Sequence, residues 1–150
     1  MRKITKGVWW LAVGGLVLIQ FVPVDRSNPP VTGEISAPDP VMVVLRNSCF
    51  DCHSNETRWP WYSQVAPVSW RIAGHVREAR GKLNFSEWQG MPLADRDHAM
   101  GEIWDQVEKG AMPPRWDYLR MHPEAVLTDP QRDALRRWSE GQEPEFPDWD

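Results

Sequence analysis

The chain has 150 residues and a net charge of −4, from 17 basic and 21 acidic side chains, a length that suits one domain. Its 25% charged and 41% hydrophobic residues argue against wholesale disorder, and the acidic balance gives no reason to expect binding to DNA or RNA, which usually wants a basic face. Fourteen prolines and ten glycines argue against a long-helix bundle, and ten tryptophans call for a packed core or a flat, aromatic-loving ligand.

Residues 1–6 contain Arg2, Lys3 and Lys6 and no acid, and residues 7–24, GVWWLAVGGLVLIQFVPV, are uncharged. As a helix this stretch rises about 27 Å, just short of a ~30 Å hydrocarbon core. Basic residues stay cytoplasmic, so residues 1–24 are expected to form a single-pass transmembrane signal anchor in the inner membrane, with the rest of the chain in the periplasm. Trp9 and Trp10 suit the membrane interface. Cleavage would instead leave a soluble periplasmic protein, but FVPVDRSNPP offers no convincing small-x-small site. A buried core helix would not carry basic residues at one end only. The part beyond residue 24 holds 14 basic and 21 acidic residues, a net charge of −7, which suits docking to a basic partner or plain solubility.

Residues 25–40, DRSNPPVTGEISAPDP, read as a flexible, extended linker with an r.m.s. span of about 20–25 Å. Residues 41–142 form the main domain. VMVVLRN at 41–47 fits a helix or a short strand, and 54–68 is a proline-punctuated aromatic loop. Ser69 is a candidate N-cap for a helix to about Leu83, with Trp70, Ile72, Ala73, Val76 and Leu83 as its apolar face. Asn84 or Ser86 opens a short turn. A helix follows from about Leu93 to Lys109, with Ala94, Met100, Ile103, Trp104 and Val107 apolar and Gly110 ending it. After a long loop over 111–127, Thr128-Asp129-Pro130-Gln131 is a capping box with proline in the first turn, starting a last helix to about Gly141. Residues 143–150 are an acidic tail. No strand alternation and no repeat is evident, so the fold class is all-α.

Both cysteines fall in the string Cys49-Phe50-Asp51-Cys52-His53, the c-type haem attachment pattern. Each thiol adds across one haem vinyl group, two intervening residues match the separation of the vinyls, and the adjacent histidine reaches the iron. The competing readings are a disulfide or redox dithiol, which would want a strand–helix setting that is absent, and structural zinc, which would want a second pair of ligands.

A sixth iron ligand has several candidates: Met42, Met91, Met100, Met112, Met121, His75, His98 and His122. Met112, in Gly110-Ala111-Met112-Pro113-Pro114, is preferred. A proline-held loop can press a thioether onto the iron, and a His/Met pair raises the potential. Met91-Pro92 is a weaker copy of the motif, His75 is the main bis-histidine alternative, and His122 competes within the long loop.

CFDCH, the GAMPP loop and a capped final helix containing ALRRW resemble class I cytochromes c. CHSNETRWPWYSQVAPVSW, HVREARGKLNFSEW and GAMPPRWDYLRMHPEAVLT are similar to the haem-binding domain family of exported bacterial proteins, over roughly residues 38–142. The resemblance implies a few helices wrapped around one haem, with the attaching motif near the domain start and the Met-Pro loop before the last helix. Trp59, Trp61, Tyr62 and Trp70 either line the haem edge, with Arg58 or Arg71 on a propionate, or simply fill a small core. The expectation is a membrane-anchored monohaem cytochrome c, with Cys49, Cys52, His53 and Met112 holding haem c and its iron. It would exchange single electrons with redox protein partners and would not be an enzyme. A haem enzyme or gas or redox sensor with an open distal site is the alternative.

Overall fold

The computed structural model describes residues 6–142 and contains helices and no strand among them. The helices are α1 (Lys6–Leu18), α2 (Asp39–Ser48), α3 (Phe50–His53), α4 (Val68–Lys82), α5 (Leu93–Glu108) and α6 (Asp129–Ser139), joined by loops that contain short 3-10 turns. The expected acidic tail, 143–150, lies outside the described residues.

The all-α expectation holds, and its causes are local. The 41–47 ambiguity resolves to helix because Pro40 sits in the first turn of α2 with Asp39, where proline loses no needed hydrogen bond. Val41, Val44, Leu45 and Ser48 are the buried positions of α2, one stripe at helical spacing. At α6 the capping box forms as read: Gln131 N–H donates to Thr128 Oγ1 at 3.4 Å and Thr128 N–H to Gln131 Oε1 at 2.9 Å. Gly110 closes α5 with φ +69° and Gly141 follows α6 with φ +72°, backbone that favours glycine. Ser69 is not the cap of α4; the helix begins one residue earlier after Pro67, with no side-chain cap, and Ser69 is buried inside it.

The core gathers Ile35, Val41, Leu45, Phe50, Phe85, Trp88, Ile103, Val107 and Leu135. α6 packs on α2 and α5, and α3 lies between α2 and α4. Of the tryptophans, Trp88 joins this core and Trp104 and Trp138 pack against it, whereas Trp61 and Trp70 are exposed.

Two expectations about the N-terminal part are corrected. The uncharged 7–24 stretch is not one continuous helix: α1 ends at Leu18 and a 3-10 turn, Ile19–Phe21, follows. Thirteen residues rise about 20 Å, and no described helix is long and apolar enough to cross a membrane. Residues 25–40, read as a flexible linker, are instead strapped to the domain: 25–38 are non-helical and lie along it, and Asp39 and Pro40 open α2. Thr32 and Gly33 N–H both donate to Ser86 O at 3.0 Å, Ile35 N–H donates to Phe85 O at 2.8 Å, and Ile35 is 3% exposed. Proline-rich backbone lacks internal partners, so its N–H groups were free to pair with the carbonyls of Phe85 and Ser86. Gly33 lies there so close to Gln89 that a Cβ would approach the Gln89 Cβ to 2.8 Å.

Candidate functional site

Cys49 stands at the joint of two helices. Its N–H completes α2 by donating to Leu45 O at 2.9 Å, and its carbonyl accepts from Cys52 N–H at 3.1 Å and His53 N–H at 2.9 Å. The single turn of α3 therefore sets Cys49, Cys52 and His53 at i, i+3 and i+4, one face of a helix. The two residues between the cysteines anchor the turn. Phe50 is 3% exposed and stacks on Phe85, centroids 5.3 Å apart, with the Arg46 guanidinium 4.9 Å above its ring. Asp51 is buried and accepts from Arg58 Nε at 3.0 Å and from Tyr118 O–H at 2.8 Å.

Both cysteines are half-buried free thiols. Burial pushes Cys49 up to about 12, aided by its neighbour Cys52, and Cys52 up to about 11, aided by Asp51, so both are protonated at neutral pH. His53 Nδ1 lies 3.1 Å from Leu83 O. Burial holds the imidazole below its ordinary value, against the hydrogen bonds to backbone carbonyls, so the ring is neutral. With the proton on Nδ1, Nε2 carries the lone pair. Fixing one ring nitrogen on a backbone carbonyl is the usual way a metal-binding histidine is oriented.

The segment behind the turn is satisfied throughout. Phe85 N–H donates to His53 O at 2.7 Å, Asn55 N–H to Ser86 Oγ at 2.9 Å and Asn84 Nδ2 to Asn55 Oδ1 at 2.9 Å. Arg80, from α4, donates to Ser54 O at 2.7 Å, Thr57 Oγ1 at 2.9 Å, Ser27 O at 3.0 Å and Asn28 Oδ1 at 2.9 Å. No described buried side-chain polar atom lacks a partner.

Met112 follows α5. Ala111 and Met112 N–H both donate to Gln106 O, at 2.9 and 3.1 Å, and Met112 remains 36% exposed beside a buried Pro113. The loop then makes one wide turn at Arg115–Leu119, and the Tyr118 bond to Asp51 joins it to α3. The other candidates lie elsewhere. His75 and His98 are exposed on α4 and α5, and Met121 is exposed. Met42 and Met100 pack against the core. Met91 lines an open groove with Leu83, whose carbonyl holds Nδ1 and not Nε2. His122 has both ring nitrogens engaged, Nε2 with Tyr62 O–H at 2.7 Å and Nδ1 with Glu124 at 2.9 Å.

Sequence reasoning offered Arg58 to a propionate; the structure pairs it with Asp51. It missed Asp51, Arg80 and Tyr118. Their only sequence signal is a charge placed inside an otherwise chemical motif, Asp51 between the two cysteines.

The donor set fits haem: a neutral, oriented imidazole with a free nitrogen, and two unpaired thiols on the same helical face. No curated protein and no solved structure matches the chain. One family profile, described as haem-binding domain, matches residues 14–141, nearly all of the described chain, and the protein belongs to that family.

Proposed function

We propose that this protein is an exported, membrane-attached monohaem cytochrome that carries single electrons between protein partners and is not a catalyst. The observation that carries this reading is the orientation of His53 on Leu83 O at 3.1 Å, on the same turn as two free thiols. Cys49 and Cys52 would each add to a vinyl group as thioethers, and His53 Nε2 would donate to the iron. When bound, the haem supplies one reversible electron through its ferrous and ferric states. The chain's part is to keep that site rigid. Phe50 buries the turn, Asp51 ties it to Arg58, and Leu83 fixes the imidazole plane. Met112 is the preferred sixth ligand because it stands on a loop joined to α3, whereas His122 has both ring nitrogens engaged. With Met112 and His53 both holding the iron, the thioether would favour the ferrous state.

Membrane attachment is supported by the uncharged 7–24 segment and by the exposure of Trp9, Trp10, Leu11, Leu18 and Phe21, and the three basic residues before it support a periplasmic haem domain. A second reading, a sensor or haem enzyme with a labile distal site, is favoured by the partial exposure of Met112.

Absorption spectroscopy of the ferric protein separates them. A near-infrared sulfur-to-iron charge-transfer band that disappears in Met112→Ala, with a high-spin spectrum and ready imidazole binding in the variant, supports the carrier. An open, high-spin wild type supports the sensor or enzyme, and a band that survives the substitution rejects Met112.

A further inference from the structure

Asp51 is 8% exposed although it lies inside the attachment motif. Its Oδ1 accepts from Arg58 N–H at 3.1 Å and Nε at 3.0 Å, and its Oδ2 from Arg58 Nη2 at 3.1 Å and Tyr118 O–H at 2.8 Å. The Arg58 bonds are local in sequence. The Tyr118 bond spans 67 residues and fastens the loop after Met112 to the turn that bears Cys52. The loop is gripped again next door. The Tyr118 and His122 rings stack at 4.4 Å with 19° between planes, and His122 Nε2 meets Tyr62 O–H at 2.7 Å. Two rings of the loop are thus held between Asp51 and Tyr62. A hydroxyl on a buried carboxylate is charge-assisted and stronger than a neutral pair. The single wide turn that presents Tyr118 is a geometry often kept at functional sites.

We infer that Tyr118 is a positioning residue: through Asp51 it latches the Met112 loop onto the haem-binding turn and so governs the access of exogenous ligands to the iron. The inference rests on the proposed haem attachment at Cys49, Cys52 and His53. Met112 need not itself be the ligand, because Tyr118 ties the same loop to the turn that bears Cys52 in either case. Removing the hydroxyl leaves Asp51 with its three Arg58 bonds, so the fold stands while the loop is released. Losing one hydrogen bond to a charged acceptor corresponds to about tenfold or more in the opening equilibrium.

The test uses the full-length haem-loaded protein and its Tyr118→Phe variant, with two readouts. Amide exchange should quicken about tenfold in residues 112–122 and stay unchanged in α2 and α6. Imidazole should bind the ferric iron about tenfold faster. Tyr62→Phe, which frees His122 but keeps the Asp51 bond, should change both by less. Asp51→Asn, which keeps an acceptor but loses the charge, should fall between wild type and Tyr118→Phe and serves as the second probe. Unchanged loop exchange overturns the latch, and quickened exchange with unchanged imidazole binding overturns its control of the iron. A wild type without the sulfur-to-iron band overturns only the Met112 assignment, since both readouts still decide the latch.

Discussion

Arg80→Met should be among the most damaging single changes outside the core, although Arg80 touches no apolar cluster. Its guanidinium joins three separate segments: the N-terminal strap at Ser27 and Asn28, the residues after the attachment motif at Ser54 and Thr57, and its own helix α4. Methionine keeps most of the stem and removes the fork. Bonds to the exposed Ser27 and Asn28 contribute little, because water replaces the donor. Ser54 and Thr57 are 0% and 6% exposed, so their acceptors lose a charged donor that water does not readily replace. At about 1.5–3 kcal/mol for each hydrogen bond to a charged group, discounted for the half-buried guanidinium, the loss is about 2–4 kcal/mol. For a domain of this size that lowers Tm by about 10 °C. Urea unfolding of the haem-loaded protein measures it, and limited proteolysis should show new cuts within residues 25–35. Lys109→Met, which breaks only the exposed Lys109–Asp105 pair, should leave the urea midpoint essentially unchanged. If Arg80→Met likewise leaves the midpoint unchanged and the strap stays protected, the strap is not held as described.

Thr128→Ala removes the side-chain half of the α6 capping box and should cost about 1 kcal/mol in urea unfolding. Asp133 is held below the ordinary carboxylate range by its hydrogen bond to Arg136 and then by the charges of Arg136 and Arg137. Its folded pKa being depressed, its contribution is complete above the unfolded pKa of about 4 and is lost as pH falls through the folded value. Asp133→Asn should therefore narrow the stability gap between neutral and acid pH, measured as urea midpoints from pH 6 to 2.5. On the proposed reading the chain should sediment with membranes uncleaved; an intact mass that begins after residue 24, in the soluble fraction, would count against membrane attachment.

What the sequence disclosed was what neighbours along the chain decide. The Thr128 capping box, Gly110 at the end of α5 and the Cys49, Cys52, His53 motif each depend on residues within four positions. What it concealed depends on remote partners. Ile35 is one aliphatic residue among prolines, and its place in the core follows from backbone bonds to Phe85 and Ser86. Pro- and Gly-rich composition reads the same for a strap and for a free linker. Asp51 and Tyr118 are far apart in the chain, and His122 looked available as a ligand until Tyr62 and Glu124 took both nitrogens. The apolar run at 7–24 announced a helix but not its end at Leu18, because no charge or glycine marks that boundary.

Covalent attachment of haem at Cys49 and Cys52 is the central claim, and intact mass under denaturing conditions tests it most directly. The chain purified from cells that mature c-type cytochromes should carry the added mass of one haem that acid and organic solvent do not remove, and the Cys49→Ala, Cys52→Ala double variant should run at the mass of the bare chain. A wild type that releases its haem on denaturation, or a double variant that retains it, would contradict the claim.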